Sequence, residues 1–362
     1  MTPESDADRH GGREAPIVSC RRVSYCLDLR VPWVDAHGRM TVRRGWIVEI
    51  RAGRLRGFGD CAPLPSAGTE TLDGAEAVLD ALASRLEGLL PSDALDRLPE
   101  PPGTAPAARC GVETALLDLV ARARNQPLCA VLSRQPAREV EVNGVLGPVD
   151  DALARLPGVL ASGHRVLKLK LGTRTWAAER PGLAALVAAL PRGTSLRLDV
   201  NGAWSFAEAA EIIPQLARWP VECLEEPAGG ATHAELAQLQ GLAPFPLALD
   251  ESLAPRCPNG LPVRRQVLKP MAVGGPAALV RRAGDAVETV VTTTVDSAVG
   301  AWAAAHAAAA ISGSRVSGQS LAHGLATSDW LTRDLADPPL PHGGRLTLPG
   351  VPGLGAVPDF RG

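Results

Sequence analysis

Lysine is almost missing from this sequence of 362 residues, since 34 of its 37 basic residues are arginine and only three are lysine. Aromatic residues are also scarce, at 3% of the chain. No apolar run reaches the roughly 18 residues needed to span a bilayer, which argues against a membrane protein. The net charge of −2 gives no reason to expect nucleic acid or an anionic membrane as a partner.

The cysteines form no recognisable motif. The seven thiols are scattered, without a CxxC pair or a spacing typical of zinc sites. Such a set indicates reduced thiols in a cytoplasmic protein. With 46% apolar residues, the chain is expected to bury a large core. Residues 1–16 are polar and mixed in charge, which is not typical of a signal peptide and predicts a disordered tail.

Residues 17–135 are predicted to form an α+β unit. Residues 17–60 mix apolar and polar positions between turn-forming stretches, which is typical of strands. Apolar residues then recur every three or four positions in residues 72–90 and 107–126, which predicts two amphipathic helices. Strands followed by helices indicate an α+β arrangement.

The pattern changes near residue 138, where short apolar strands begin to alternate with helical stretches. Eight strands are predicted, at residues 139–147, 164–172, 195–204, 220–227, 245–252, 265–270, 287–296 and 314–320. Their starts lie roughly 20–30 residues apart, the length of one βα unit. An α/β fold is therefore predicted, with a parallel barrel over residues 136–322 and helices outside it. Residues 323–362 are expected to pack back on the N-terminal unit.

Charged side chains occur at the ends of five consecutive predicted strands, where barrel enzymes place their functional groups. In chain order they are Lys168 and Lys170, Asp199, Glu225 and Glu226, Asp250 and Glu251, and Lys269. The intervals between them are each about one βα unit. These side chains are therefore expected to follow one another around the barrel mouth.

The alternation of side chains along a strand places Lys168 and Lys170 on the same face. Carboxylates from three neighbouring strands make an oxygen site suited to Mg²⁺. Amines on both sides of such a metal suit the abstraction of a proton α to a carboxylate, because the ion stabilises the developing enediolate while a lysine takes the proton.

This chemistry explains the three lysines. Arginine is effectively always protonated and cannot act as a base, whereas the pKa of lysine can fall when its amine is desolvated beside a cation. A sequence that otherwise uses arginine is therefore expected to keep lysine where a guanidinium would fail.

The motifs "KLKLG", "LDVNGAW", "LEEP", "LDES" and "LKP", in this order, resemble those of the enolase superfamily, in its muconate-lactonizing subgroup. The stretches "GFGDCAPLPSAGTET" and "ARCGVETALLDLVAR" resemble the capping domain of that subgroup. The resemblance covers residues 17–335. It implies a modified (β/α)8-type TIM barrel with an N-terminal α+β capping domain and a site between the two.

The resemblance also implies individual roles. Asp199, Glu225 and Asp250 would be the Mg²⁺ ligands, and Lys170 the base. The other two lysines would assist, Lys168 by electrostatic support and Lys269 from the opposite face of the substrate.

Within the subgroup the sequence most resembles the o-succinylbenzoate synthases. These enzymes of menaquinone biosynthesis dehydrate 2-succinyl-6-hydroxy-2,4-cyclohexadiene-1-carboxylate. The resemblance implies that Lys170 removes the α-proton and then, as an ammonium, returns a proton to the leaving hydroxyl. Lys269 would contact the ring and the enolate through its charge. A cytoplasmic carbon–oxygen lyase acting on a small carboxylate is expected, with its oligomeric state left open.

The substrate contacts are less specific. Arg197, two residues before the first carboxylate, either meets a substrate carboxylate or neutralises the acidic cluster. Asn143, Thr293 and Thr294 end other strands and either touch substrate or pack. His323 is more typical of a hydrogen-bonding residue than of a base. Glu226 and Glu251 are interpreted as helix caps or supporting groups and are left out of the ligand set.

Other functions remain open. The segment "RVSGQSLAHG" lacks the Asp-x-Asp with which dipeptide epimerases of the subgroup hold an amino group, which argues against a dipeptide substrate. An N-succinylamino acid racemase or a muconate-type cycloisomerase would share the metal and the lysines. A metal-free lyase with a Schiff-base lysine and a non-catalytic barrel are further alternatives.

Overall fold

The N-terminal part of the chain is built on a three-stranded antiparallel sheet. The computed structural model describes residues 14–35, 38–101, 103–253, 260–284, 287–313 and 321–360. The sheet has the order β1 (Ile17–Asp35), β2 (Gly38–Ala52) and β3 (Leu55–Cys61). Four helices follow, α1 (Leu72–Leu86), α2 (Pro91–Asp96), α3 (Pro106–Ala123) and α4 (Leu128–Leu132).

Helix α3 lies directly on β3, because β3 carries glycine where the two meet. A Cβ atom at Gly57 would lie 2.1 Å from the carbonyl oxygen of Ala115, and one at Gly59 would lie 1.9 Å from that of Gly111. No other residue fits at such a distance from a backbone. The motif "GFG" therefore brings helix and sheet into contact, and α3 is buried along almost its whole length.

The rest of the chain forms a seven-stranded parallel sheet with helices packed outside it, together with a separate antiparallel pair of strands. In chain order its elements are β4 (Glu139–Glu141), β5 (Gly144–Pro148), α5 (Val149–Ala161), β6 (Val166–Lys170), α6 (Trp176–Ala189), β7 (Ser195–Asp199), α7 (Phe206–Leu216), β8 (Val221–Glu225), α8 (His233–Leu242), β9 (Leu247–Leu249), β10 (Arg265–Leu268), α9 (Pro270–Val273), α10 (Pro276–Ala283), β11 (Glu288–Val291), α11 (Ala298–Gly313) and β12 (Arg345–Thr347). Strands β5 to β11 make one seven-stranded sheet in sequential order.

Strand β6 shows why polar side chains reach the interior of this sheet. Leu167 and Leu169 are fully buried in the core that contains residues of α5 and α6, such as Leu156 and Leu183. Lys168 and Lys170 alternate with them and are half-buried. Because successive side chains point to opposite faces, both lysines lie on one face, as predicted, and that face is opposite to the one that packs against the helices.

The predicted first strand, residues 139–147, is two strands. β4 pairs antiparallel with β12, whereas β5 begins the parallel sheet. The predicted eighth strand, residues 314–320, lies outside the described residues, as do residues 1–13 of the predicted tail.

The two edges of the parallel sheet are joined by residues 323–324. His323 bridges to Val142 beside β5, and Gly324 bridges to Thr292 beside β11. The predicted α/β fold, a modified barrel with an N-terminal α+β capping domain, is thus confirmed.

The C-terminal segment contacts the N-terminal sheet. Leu331 forms a bridge with Leu29 of β1, and Leu354 packs in one cluster with Ile47 of β2 and Phe58 of β3. Among the described helices, none has both the length and the apolar character required to cross a bilayer.

Candidate active site

Three predicted carboxylates come from neighbouring strands of the parallel sheet. Asp199 ends β7 and lies in register with Lys170 of β6 on one side and with Glu225 of β8 on the other. Glu225 in turn lies opposite Ala248 of β9, and Asp250 follows β9 directly. The carboxyl ends of these strands therefore bring Asp199, Glu225 and Asp250 to one rim of the sheet.

Lys168 lies between two of these carboxylates. Its Nζ is 2.8 Å from Asp199 Oδ2 and forms a second, short ion pair with Glu225 Oε2. Burial by itself lowers the pKa of Lys168, but the charges of Asp199, Glu225 and Asp250 outweigh it and raise that pKa above its ordinary value. Lys168 is therefore an ammonium that draws two carboxylates together.

Lys269 pairs with the third carboxylate. It follows β10 and caps the first turn of α9, and its Nζ forms an ion pair with Asp250 Oδ1. Burial lowers the pKa of Lys269, while Asp250 and Glu251 raise it, and the net shift is upward. The side chains of both partners are nearly buried, at 12% and 11% exposed.

Lys170 differs from the other two lysines. Among the residues that the structure describes, no carboxylate lies within ion-pair distance of its amine, and the residue is half-buried at the end of β6. The amine of Lys170 thus lies at the rim without an ion pair to any carboxylate of the described residues. That is the condition a base needs in order to reach a substrate.

The contacts of Arg197 favour the second of its two predicted roles. The residue is 1% exposed, and its guanidinium lies 3.1 Å from Glu222 Oε2 and 3.7 Å from Glu225 Oε1. It also donates to Asn143 Oδ1 at 3.2 Å. Arg197 and Asn143 are therefore bonded to each other inside the barrel, and Arg197 neutralises acids rather than facing outward.

Thr293 and Thr294 use their hydroxyls within the protein. The hydroxyls of Thr293 and Thr327 are 2.7 Å apart. Thr294 donates to Asp296 and accepts from the buried guanidinium of Arg43. Both threonines are nearly buried, which favours packing over substrate contact.

His323 belongs to the barrel closure. Its Nδ1 accepts from the Val291 amide at 3.0 Å, which leaves the proton on Nε2, and Nε2 lies 3.0 Å from the Ser312 hydroxyl. The ring is 1% exposed. These contacts fit a hydrogen-bonding residue.

Glu226 supports the loop that carries Asp250. Its Oε1 accepts from the amides of Asp250 at 2.6 Å and Ser252 at 2.9 Å, and its Oε2 accepts from the Ser252 hydroxyl at 2.6 Å. Its φ of +46° is unusual for a residue with a side chain. Glu226, the second acid of the "LEEP" motif, thus stabilises this loop.

A second supporting acid, Glu179, was not singled out from the sequence. It is fully buried in α6, and its carboxylate accepts hydrogen bonds from the amides of Gly172, Thr173 and Arg174, just beyond Lys170. The sequence feature that could have identified Glu179 is its position in the first turn of α6, the helix after β6, since acids are favoured in the first turn of a helix.

The donor set fits Mg²⁺. Among the described residues, no three His, Cys, Asp or Glu side chains are grouped as a metal site, and the ammonium groups of Lys168 and Lys269 pair with the acids. Even so, Asp199 Oδ2 and Glu225 Oε2 converge on a single positive charge, the Lys168 Nζ. Carboxylate oxygens that converge from adjacent strand ends are the ligands Mg²⁺ prefers.

The sequence matches two known protein families. Residues 151–361 match the family described as enolase C-terminal domain-like, which is more than half of the chain. Residues 20–118 match the MenC N-terminal domain.

Relatives with different activities are similar to this chain. The o-succinylbenzoate synthase of Yersinia pseudotuberculosis is 31% identical over 308 residues, 81% of this chain and 87% of that protein. The hydrophobic dipeptide epimerase of Roseobacter litoralis is 32% identical over 201 residues, so this chain spans only 58% of that relative.

A solved structure shows the same fold. The crystal structure of dipeptide epimerase from Methylococcus capsulatus, complexed with Mg and the dipeptide L-Arg-D-Lys, has a TM-score of 0.81 to this chain at 26% identity. The match covers 94% of this chain and 99% of that one.

Proposed function

This chain belongs to the enolase superfamily, and on that basis we propose that it is a Mg²⁺-dependent o-succinylbenzoate synthase. The substrate would be 2-succinyl-6-hydroxy-2,4-cyclohexadiene-1-carboxylate and the product 2-succinylbenzoate. The proposal carries with it a place in menaquinone biosynthesis, a cytoplasmic location and a small carboxylate as the partner.

One observation carries the proposal. Lys170 ends β6 with an uncommitted amine, Lys269 follows β10, and the carboxylates of Asp199, Glu225 and Asp250 lie on the strand ends between them. A substrate carboxylate bound at those acids through a metal would therefore have an amine on either side. The similarity to a synthase over 81% of the chain supports this reaction among those of the superfamily.

The residues divide the work as follows. Asp199, Glu225 and Asp250 would hold Mg²⁺, which supplies positive charge to the substrate carboxylate as negative charge develops there. Lys170 takes the α-proton, and the C–H electrons move into the substrate carboxylate to give an enediolate. These electrons then return to form the ring double bond as the C–O bond to the hydroxyl breaks.

The same amine completes the step. The Lys170 ammonium returns its proton to the departing hydroxyl, so that water leaves and Lys170 is regenerated as the free base. Lys269 stabilises the negative charge from the other face. Lys168 keeps Asp199 and Glu225 together.

The test is turnover of the cyclohexadiene carboxylate, followed by absorbance. Wild type should be active with Mg²⁺ and inactive with EDTA. Lys170→Arg keeps the positive charge but removes the base, and should lower kcat by about 10³-fold or more, as Lys170→Ala should. Arg180→Ala, an exposed position on α6, is the control and should leave kcat unchanged.

Two outcomes would contradict the proposal. Activity of Lys170→Arg near the wild-type value would remove Lys170 as the base. Bound Mg²⁺ without turnover of this substrate would exclude the synthase assignment while leaving the metal site in place.

A second candidate is epimerisation or racemisation at the same site. The similarity to the hydrophobic dipeptide epimerase favours it, and two amines on opposite faces would exchange an α-proton on either side. The measurement is α-proton exchange in D₂O, by NMR, with hydrophobic dipeptides and N-succinylamino acids. Exchange with these compounds, together with no dehydration, would favour the second candidate.

A further inference from the structure

We propose that Arg109 and Glu113, on helix α3 of the N-terminal part, position Lys269 for the reaction by holding the chain segment that follows it. The inference rests on the proposed role of Lys269. It gives the N-terminal part a positioning role in the reaction, exerted through contacts with Gly274, Ala277 and Ala278.

The segment after Lys269 is short and internally bonded. The Lys269 carbonyl accepts from the amides of Ala272 at 3.0 Å and Val273 at 3.1 Å. The Pro270 carbonyl accepts from the amides of Gly274 and Gly275. A displacement of Gly274 or Gly275 is therefore passed back to Lys269 through only a few backbone bonds.

Arg109 and Glu113 form hydrogen bonds with the C-terminal end of this segment. Glu113 Oε2 accepts from the amides of Ala277 at 2.9 Å and Ala278 at 3.4 Å, in the first turn of α10. Arg109 donates to the Gly274 carbonyl and, at 2.8 Å, to Glu113 Oε1. The pair therefore holds a carbonyl and two amides of the segment at once.

The fit between pair and segment is tight. A Cβ atom at Gly275, where φ is +134°, would lie 2.0 Å from Glu113 Oε2. Arg109 is 5% exposed and Glu113 1%. Removing the charge of Glu113 leaves the buried Arg109 charge with only backbone carbonyls as partners, which is costly. Met271 adds an apolar attachment, because it packs in the core of the N-terminal part.

The same helix provides a matched control. Asp118 and Arg122 also form an (i, i+4) ion pair, at 2.9 Å, and Asp118 is fully buried. Asp118, however, accepts from the amides of Phe58 in β3 and Leu354 in the C-terminal segment. Its loss should therefore destabilise the protein without reaching Lys269.

Because the chain has so few lysines, the chemical modification of each one can be measured separately. In the whole protein with Mg²⁺, an amine-specific reagent can modify only three lysines, besides the N-terminus. Mass spectrometry gives the modification rate of Lys269 relative to that of Lys170 in the same molecule. That ratio requires no turnover.

We expect Glu113→Gln to change this ratio by about threefold or more, because the segment opens locally. We also expect it to lower kcat by about tenfold, more than it changes KM, because a small displacement of a catalytic group is costly. Asp118→Asn should lower the melting temperature but leave the ratio and kcat near wild type. If Glu113→Gln does not fold, Glu113→Asp withdraws the carboxylate from the two amides and replaces it in the assay.

An unchanged ratio in Glu113→Gln, or an equal change in Asp118→Asn, would overturn the inference. A changed ratio with wild-type kcat would also overturn it, because the segment would then move without effect on the reaction. If the wild type itself does not turn over the cyclohexadiene carboxylate, the proposed function fails, and the ratio alone decides whether the pair positions Lys269.

Discussion

Replacing Glu179 by glutamine is expected to destabilise the protein and to slow any reaction at Lys170. Glu179 Oε1 accepts from the Thr173 amide and hydroxyl, both at 2.9 Å, and from the Arg174 amide at 3.1 Å. Oε2 accepts from the Gly172 amide at 2.9 Å. The loop that follows Lys170 is thus held by one buried carboxylate.

The size of the effect follows from these four bonds. A glutamine oxygen can replace Oε1, but its amide nitrogen then faces the Gly172 N–H, so that two donors meet in a buried place. A buried donor without an acceptor costs about 1–3 kcal/mol, which gives about 2 kcal/mol for Glu179→Gln. Glu179→Ala loses all four bonds and should cost about 4 kcal/mol.

Urea unfolding measures these free energies, and kcat reports the displacement of Lys170. Glu208 and Glu235 are suitable controls, because they lie in the first turns of α7 and α8 and accept from Ser205 and Thr232 in exposed capping boxes. Glu208→Gln and Glu235→Gln should each cost less than Glu179→Gln and leave kcat unchanged. An equal or smaller loss for Glu179→Gln would refute the reasoning.

Two further predictions concern stability. His306 is fully buried, and burial lowers its pKa from 6.5 to about 4. As the pH falls from 6.5 to 4, the unfolded chain binds a proton at this histidine before the folded protein does, so about 3 kcal/mol of the free energy of unfolding should be lost. Urea titrations at each pH measure this loss, and it should be missing from His306→Gln. Gly59→Ala should cost about 3 kcal/mol or more of stability, because the new Cβ meets the Gly111 carbonyl. Gly241→Ala in α8, where no atom lies within 4 Å of a new Cβ, should be neutral or stabilising. Thermal melts of both variants make the comparison. A wild-type melting temperature for Gly59→Ala would contradict the close helix–sheet contact.

The elements that the sequence predicted well are those with a local signal. Alternation along β6 placed both lysines on the same face, and helical periodicity located α1 and α3 to within a few residues. Strand-end spacing brought Asp199, Glu225 and Asp250 to one rim. Their roles as ligands stay predictions.

What the sequence missed depends on distant partners. β4 separates from β5 because it pairs with β12, far along the chain, and no local pattern announces that pairing. The partner of Arg197 was equally hidden, because the pairing of β7 with β8 is irregular there and skips Glu222. Arg109 and Glu113 form an ordinary helical pair in the sequence, and only the tertiary structure shows what they hold.

The closure of the parallel sheet by residues 323–324 has a consequence for the order of folding. After Val142 has been made, a further half of the chain must be synthesised before its neighbour His323 exists, whereas Thr292 and Gly324 are close in sequence. Closure of the sheet is therefore a late, long-range event, which slows folding relative to local contacts. Until then the β5 edge carries unpaired backbone groups during synthesis. Intermolecular strand pairing, and hence aggregation of nascent chains, is therefore expected at that edge.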